Sequence, residues 1–198
     1  NFQEVQYLLR DIIAEVTGIE VDFGLTLGDN AFDNLRVFDE LVQGIGRAGL
    51  PWHYVPGNHD KTLSYCAVYT LNAYYHNCPS VNVTINPSPR KYVRYGVNLI
   101  GFSHGKEGKR IFHLMQQEQP EDWGETLFRE WHLGDLHHEE TMEVGGVKVR
   151  RISSVTAADA WHAEKGFRAV RKAQAFVWDR EHGPELVIDS NVLCRDSE

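Results

Sequence analysis

A chain of 198 residues that is 42% hydrophobic, 24% charged and 11% aromatic has the length and apolar content of one globular domain, residues 1–198. It contains no low-complexity tract and no apolar run long enough to span a bilayer, which excludes disordered, fibrous and membrane-spanning classes. A net charge of −8 excludes a uniformly basic coat for nucleic acid, and three cysteines with neither metal-type spacing nor a secretory leader point to a reducing, cytoplasmic setting.

In chain order, Phe2, Val5, Leu8, Leu9, Ile12, Ile13 and Val16 recur at three- and four-residue spacing and predict an amphipathic helix, which Gly18 stops. The stretch "VDFGLTLGDN" predicts a strand ending in Gly28-Asp29-Asn30. Leu35, Phe38, Leu41, Val42 and Ile45 predict a helix over 33–48, "PWHYVPGNHD" a strand with its exit loop, and residues 62–76 another helix. Strand and helix alternating in this way imply parallel strands with crossover helices, whose ligand groups gather at the carboxyl ends of the strands. Beyond residue 80 the pattern changes. "SVNVTI", "KYVRYG", "VNLIGFSHG", "EWHLGDLHH", "TMEVGGVKVRRIS" and "AQAFVWDR" read as short strands, residues 106–130 as helix and loop between two of them, and "DAWHAEKGFRAVRKA" as a loop with a helical turn.

Four strand-end clusters carry the chemistry: Gly28-Asp29-Asn30, Gly57-Asn58-His59-Asp60, Ser103-His104-Gly105 and Gly134-Asp135-Leu136-His137-His138. An amide, an imidazole and a carboxylate on consecutive residues are costly to bury without a partner, and a metal ion is a partner for all three. The glycines allow tight turns and close backbone approach, and carboxylate, amide oxygen and imidazole together suit Mn, Fe or Zn. Asp33 reads instead as a helix cap. His53, His76, His113, His132 and His182 read as structural or solvent-facing.

The order of these clusters closely resembles the calcineurin-like metallophosphoesterase family from about residue 19 to about residue 155, and residues 134–167 resemble a phage-associated branch of phosphoesterases and DNA-repair-type exonucleases. The resemblance implies a four-layer α/β sandwich, two mixed sheets flanked by helices. It implies two divalent metal ions, Mn2+ ahead of Fe, Zn or Mg. Asp29 would bridge them, Asn58 and His104 would bind the second, and His137 the first. His59, oriented by Asp60, would be the acid that protonates the leaving oxygen. Such a metal pair lowers the pKa of a shared water and clamps phosphate oxygens. The implied activity is hydrolysis of a phosphodiester, nucleic acid such as DNA ahead of small nucleotides. The alternatives are a phosphomonoesterase or nucleotide phosphatase, and a metal-poor member acting as a binding module.

Two departures from the family pattern bear on this. The family opens with Asp-x-His on a first strand, and no such strand precedes the opening helix here. Either further residues supply it, or the protein binds one ion and is impaired. The last motif is usually Gly-His-x-His, and Asp135 stands in place of its first His; it reads either as a hard ligand, favouring Mn or Mg over Zn, or as a solvated turn residue. Two readings stay open downstream. His162, beside Asp159 and Trp161, could close over the site as a substrate-binding residue or merely pack. The basic residues concentrated after residue 89, among them Arg90, Arg94, Lys106, Lys148, Arg150, Arg151 and Lys172, form either a phosphate-tracking groove or a solvated face.

Overall fold

The computed structural model describes residues 24–27, 52–55, 61–79, 83, 85–86, 88–136, 138–153 and 170–191. The opening helix, the helix over 33–48 and the Asp159–His162 segment lie outside these residues. Strands β1 (Gly24–Leu27) and β2 (Trp52–Val55) pair in parallel, as the sequence pattern predicts. Helix α1 (Lys61–Tyr74) follows, within two residues of its predicted bounds at each end.

Five strands form the central sheet: β3 (Arg90–Tyr95), β4 (Asn98–Ser103), β5 (Phe128–Leu133), β6 (Glu140–Val144) and β7 (Val147–Arg151), in the order β3-β4-β5-β7-β6. β3–β4 and β6–β7 are antiparallel hairpins, whereas β4, β5 and β7 run parallel to one another. The crossover between β4 and β5 holds a 3-10 turn (Gly108–Arg110), α2 (Ile111–Glu118) and α3 (Pro120–Glu125). Pro120 opens α3, where its fixed φ suits the helix and its missing N–H is not needed.

β4 is buried along its whole length, because both faces of the sheet are covered, and its apolar centre, Leu99 to Phe102, is what such a strand requires. On one face Leu99 packs with Trp131, Leu133, Val147 and Val149 against Ile111 and Met115 of α2. Gly101 lies on this face, and a β-carbon there would sit 2.6 Å from Trp131 Cε3. On the other face Ile100 and Phe102 pack with Val55 of β2 and with Trp178 of β8 (Lys172–Asp179). β8 pairs antiparallel with β9 (Gly183–Asn191). The fold is thus a mixed α/β sandwich: helices, a five-stranded mixed sheet, and a second strand layer built among the described residues from two two-stranded pieces.

Two details differ from the sequence reading. Val83 and Ile85, the described residues of "SVNVTI", lie outside any strand. Asn72 Nδ2 of α1 donates to Val83 O at 2.6 Å, so a side chain takes the carbonyl that a ladder would use. β9 was not anticipated. Its sequence, GPELVIDSN, begins with a breaker and mixes charge with apolar residues because most of the strand is exposed. No helix among the described residues is long and apolar enough to cross a membrane.

Candidate metal centre

Ser103 and Leu133 pair directly where the parallel strands β4 and β5 end, so the residues that follow, His104 and Gly134-Asp135, emerge side by side. His104 Nε2 lies 3.5 Å from Asp135 Oδ1, with the two side chains only 7% and 13% exposed. Gly105 makes this approach possible. It has φ of 115°, and a β-carbon there would stand 3.4 Å from Gly134 O and 3.3 Å from Arg151 Nη1.

The backbone at Asp135 is itself unusual, with φ of 68°. Leu136 N donates to Gly134 O at 2.9 Å, closing a positive-φ γ-turn centred on Asp135. Such turns are rare and strained for L-residues.

A third side chain completes the described part of the centre. Lys106 Nζ lies 2.6 Å from Asp135 Oδ1, the same oxygen that His104 faces, although the lysine is 55% exposed. The loop that carries His104 and Lys106 is fastened at both ends. Ser103 Oγ donates to Glu107 Oε1 at 2.5 Å, and Arg90, 3.6 Å from Glu107, also forms a two-pronged pair with Glu118. Downstream of Asp135, Lys172 Nζ ties Glu139 to Asp189 of β9, at 2.6 Å from each.

The chemistry of these donors suits a divalent ion. Two N or O donors bound at roughly 2.1 Å to one tetrahedral ion stand roughly 3.4 Å apart. The His104–Asp135 separation of 3.5 Å matches this, and the ammonium of Lys106 shows that a cation can reach the carboxylate. No group of three or more His, Cys, Asp or Glu side chains converges among the described residues. Asp29, Asn58, His59, Asp60, His137 and His162 lie outside them. Asp135 is a turn residue, but a largely buried one.

Lys106 and Arg151 were placed by sequence only among the late basic residues. The signal that could have singled out Lys106 is its position, two residues after His104 on the same strand-exit loop.

Several of the described basic residues are engaged with acids. Arg94 pairs with Asp122 and Glu125, Arg151 with Glu140, and Lys172 with Glu139 and Asp189. Lys148 and Arg150 flank Glu130, which is 2% exposed. Burial pushes the Glu130 carboxyl up, yet hydrogen bonding and charge from His132 and Arg150 outweigh burial and hold it below the ordinary glutamate range. His132 packs between Phe102 and Phe176 and is structural, while His76, His113 and His182 are exposed. His138 is also exposed, its Nδ1 2.9 Å from Leu136 O.

No family model matches the chain, and no curated protein matches it by sequence. Solved structures do. A double mutant of Vps29 from Entamoeba histolytica aligns with a TM-score of 0.52 and 14% identity, covering 92% of this chain and 89% of that one. Vacuolar Protein Sorting 29 from Cryptosporidium parvum aligns with a TM-score of 0.51 and 16% identity, covering 93% and 86%. Vps29 from Chaetomium thermophilum aligns with a TM-score of 0.50 and 15% identity, covering 91% and 84%. At such identities the likeness shows the fold, which is the calcineurin-like metallophosphoesterase fold.

Proposed function

We propose that the protein is a metal-dependent phosphoester hydrolase, acting on phosphodiesters. The observation that carries this reading is the His104–Asp135 pair, two largely buried donors 3.5 Å apart at the carboxyl ends of adjacent parallel strands. The shared fold supports it, since ligand groups gather at that edge of such sheets.

Asn58, His104 and Asp135 would hold one ion, Asp29 would be shared, and His137 would hold the other. Divalent ions, Mn2+ first, supply Lewis acidity toward a phosphoryl oxygen and lower the pKa of a nearby water. The protein's own groups do the rest. Gly105 lets the two strand-exit loops close on each other, the γ-turn at Asp135 fixes its backbone, and His59, held by Asp60, donates a proton to the departing oxygen. His162 would contact the substrate. Because Arg94, Arg150, Arg151 and Lys172 are already matched to carboxylates, a small phosphodiester ranks ahead of nucleic acid, which needs a run of free positive charge.

The test is Mn2+-dependent hydrolysis of bis-p-nitrophenyl phosphate beside p-nitrophenyl phosphate, with bound metal measured on the same samples. Diester turnover that falls together with bound Mn2+ in His104→Ala supports the reading. Faster monoester turnover would make the protein a phosphomonoesterase. Unchanged metal content in His104→Ala would remove the centre from the argument, and neither metal nor turnover in the full chain would leave a binding module.

A further inference from the structure

The Asp135 carboxylate already has a cation. Lys106 Nζ approaches Asp135 Oδ1 to 2.6 Å, and the same oxygen faces His104 Nε2 at 3.5 Å. A divalent ion bound by this oxygen and this nitrogen needs the region next to Oδ1 into which the ammonium reaches. Two positive charges cannot share one carboxylate oxygen at contact distance without strong repulsion. Lys106 differs from the other cations around the centre in two respects. Its partner is itself a candidate ligand, and its own side chain is 55% exposed, so it can withdraw into water without leaving a buried charge behind. Arg151, by contrast, is 13% exposed and pairs with Glu140, and Arg90 is held by Glu118.

From this we propose that Lys106 is a built-in counter-ion of the Asp135–His104 pair: its ammonium holds the carboxylate when no metal is present and must swing out for a divalent ion to bind. The inference rests on the metal-centre reading above and adds to it a residue that sets metal affinity. Without such a counter-ion the metal-free protein would keep a largely buried carboxylate in a positive-φ turn, with His104 as its ion-pair partner among the described residues. The lysine therefore stabilises the empty state and lowers the affinity of the loaded one. A lysine suits this exchange better than an arginine, because a single flexible ammonium leaves more readily than a planar fork bound through two hydrogens.

Isothermal titration of the full chain with Mn2+ alone tests this, using Lys106→Met, Lys106→Gln, Lys109→Met and Asp135→Asn, and the double variant of Lys106→Met with Asp135→Asn. An ion pair of this partly exposed kind implies a rise in Mn2+ affinity of about two- to fivefold in Lys106→Met and Lys106→Gln. Lys109→Met, which removes an exposed positive charge three residues farther along the chain, should change affinity by less than about twofold. In the Asp135→Asn background the effect of Lys106→Met should vanish, which separates a counter-ion from a general field. Equal affinity in the wild type and Lys106→Met, or a loss in the variant, would overturn the counter-ion while leaving the metal centre standing. If wild type and Lys106→Met both bind no Mn2+, or bind it equally well after His104→Ala, the metal-centre reading itself fails and the inference falls with it.

Discussion

Arg150 stands opposite His132 in the β5–β7 ladder, yet its Nε reaches diagonally to Glu130 Oε1, 2.8 Å away. His132 Nε2 lies 3.2 Å from the same oxygen, so one buried carboxylate oxygen collects two partners between the sheet and the β8–β9 hairpin. The pair holds the Glu130 carboxyl below its ordinary value near 4.5. A depressed acid contributes stability that is fully present above the unfolded-state value and is lost as pH falls through the native one. Urea unfolding between pH 3 and pH 7 should therefore show stability falling below about pH 4.5 in the wild type. Arg150→Met should cost about 2–3 kcal/mol at neutral pH and flatten that acid slope, since the native state no longer holds the proton off as strongly. An unchanged slope would mean that Glu130 contributes little to acid unfolding.

The γ-turn at Asp135 makes a second prediction, about the backbone alone. Glycine adopts positive φ freely, whereas an L-residue there costs about 1–2 kcal/mol. Asp135→Gly should therefore be more stable than Asp135→Ala by about 1 kcal/mol, even though both lose the carboxylate. Thermal unfolding of the two variants measures this difference directly. Equal midpoints would show that the turn relaxes when the side chain is shortened.

Asp135→Asn isolates the charge. Asparagine tolerates the same backbone region and has nearly the same shape, so the fold should persist. Mn2+ affinity should fall at least about tenfold, because changes even one shell farther out commonly cost about 10- to 100-fold. Equilibrium dialysis against Mn2+, beside a circular dichroism spectrum, reads both quantities. Unchanged affinity would reduce Asp135 to a turn residue.

A fourth prediction concerns the core. At Gly101 an added methyl would lie 2.6 Å from Trp131 Cε3 and 2.9 Å from Met115 Cε. Both neighbours are fully buried, so neither can move aside cheaply. Gly101→Ala should destabilise the protein by about 1–3 kcal/mol, measured by urea unfolding. A neutral result would show that Met115, the more adaptable of the two, has repacked.

The central sheet was legible because its strands meet the two conditions that leave marks in a sequence. The fully buried β4 reads as an apolar centre, Leu99 to Phe102, and the β6–β7 hairpin is announced by Gly145-Gly146 between valines. β9 was not legible because most of its residues face solvent and set no pattern. The centre was legible only as ligand types at strand ends. His104 and Asp135 were named because imidazole and carboxylate are obvious donors, and direct pairing of Ser103 with Leu133 puts them together. Lys106 was named only among the late basic residues, since its position two residues after His104 does not by itself say that it reaches a candidate ligand. Pairing with Asp135 depends on the loop conformation that Gly105 allows, with its φ of 115°. The roles assigned to Asp29, Asn58, His59, Asp60, His137 and His162 rest on the order of motifs alone.

The β6–β7 turn has a practical use. Gly145 and Gly146 both have positive φ, and a β-carbon on either would meet nothing within 4 Å. β7 runs parallel to β4 and β5 and begins immediately after this turn, so the turn sits at the end of the sheet opposite the His104–Asp135 pair. An inserted peptide tag, a fluorophore on an introduced cysteine, or the new termini of a circular permutant would all be tolerated best at such an open tip. The protein thus offers an attachment point a whole strand length away from its chemistry, where it can be immobilised or labelled without touching the residues whose metal binding is to be measured.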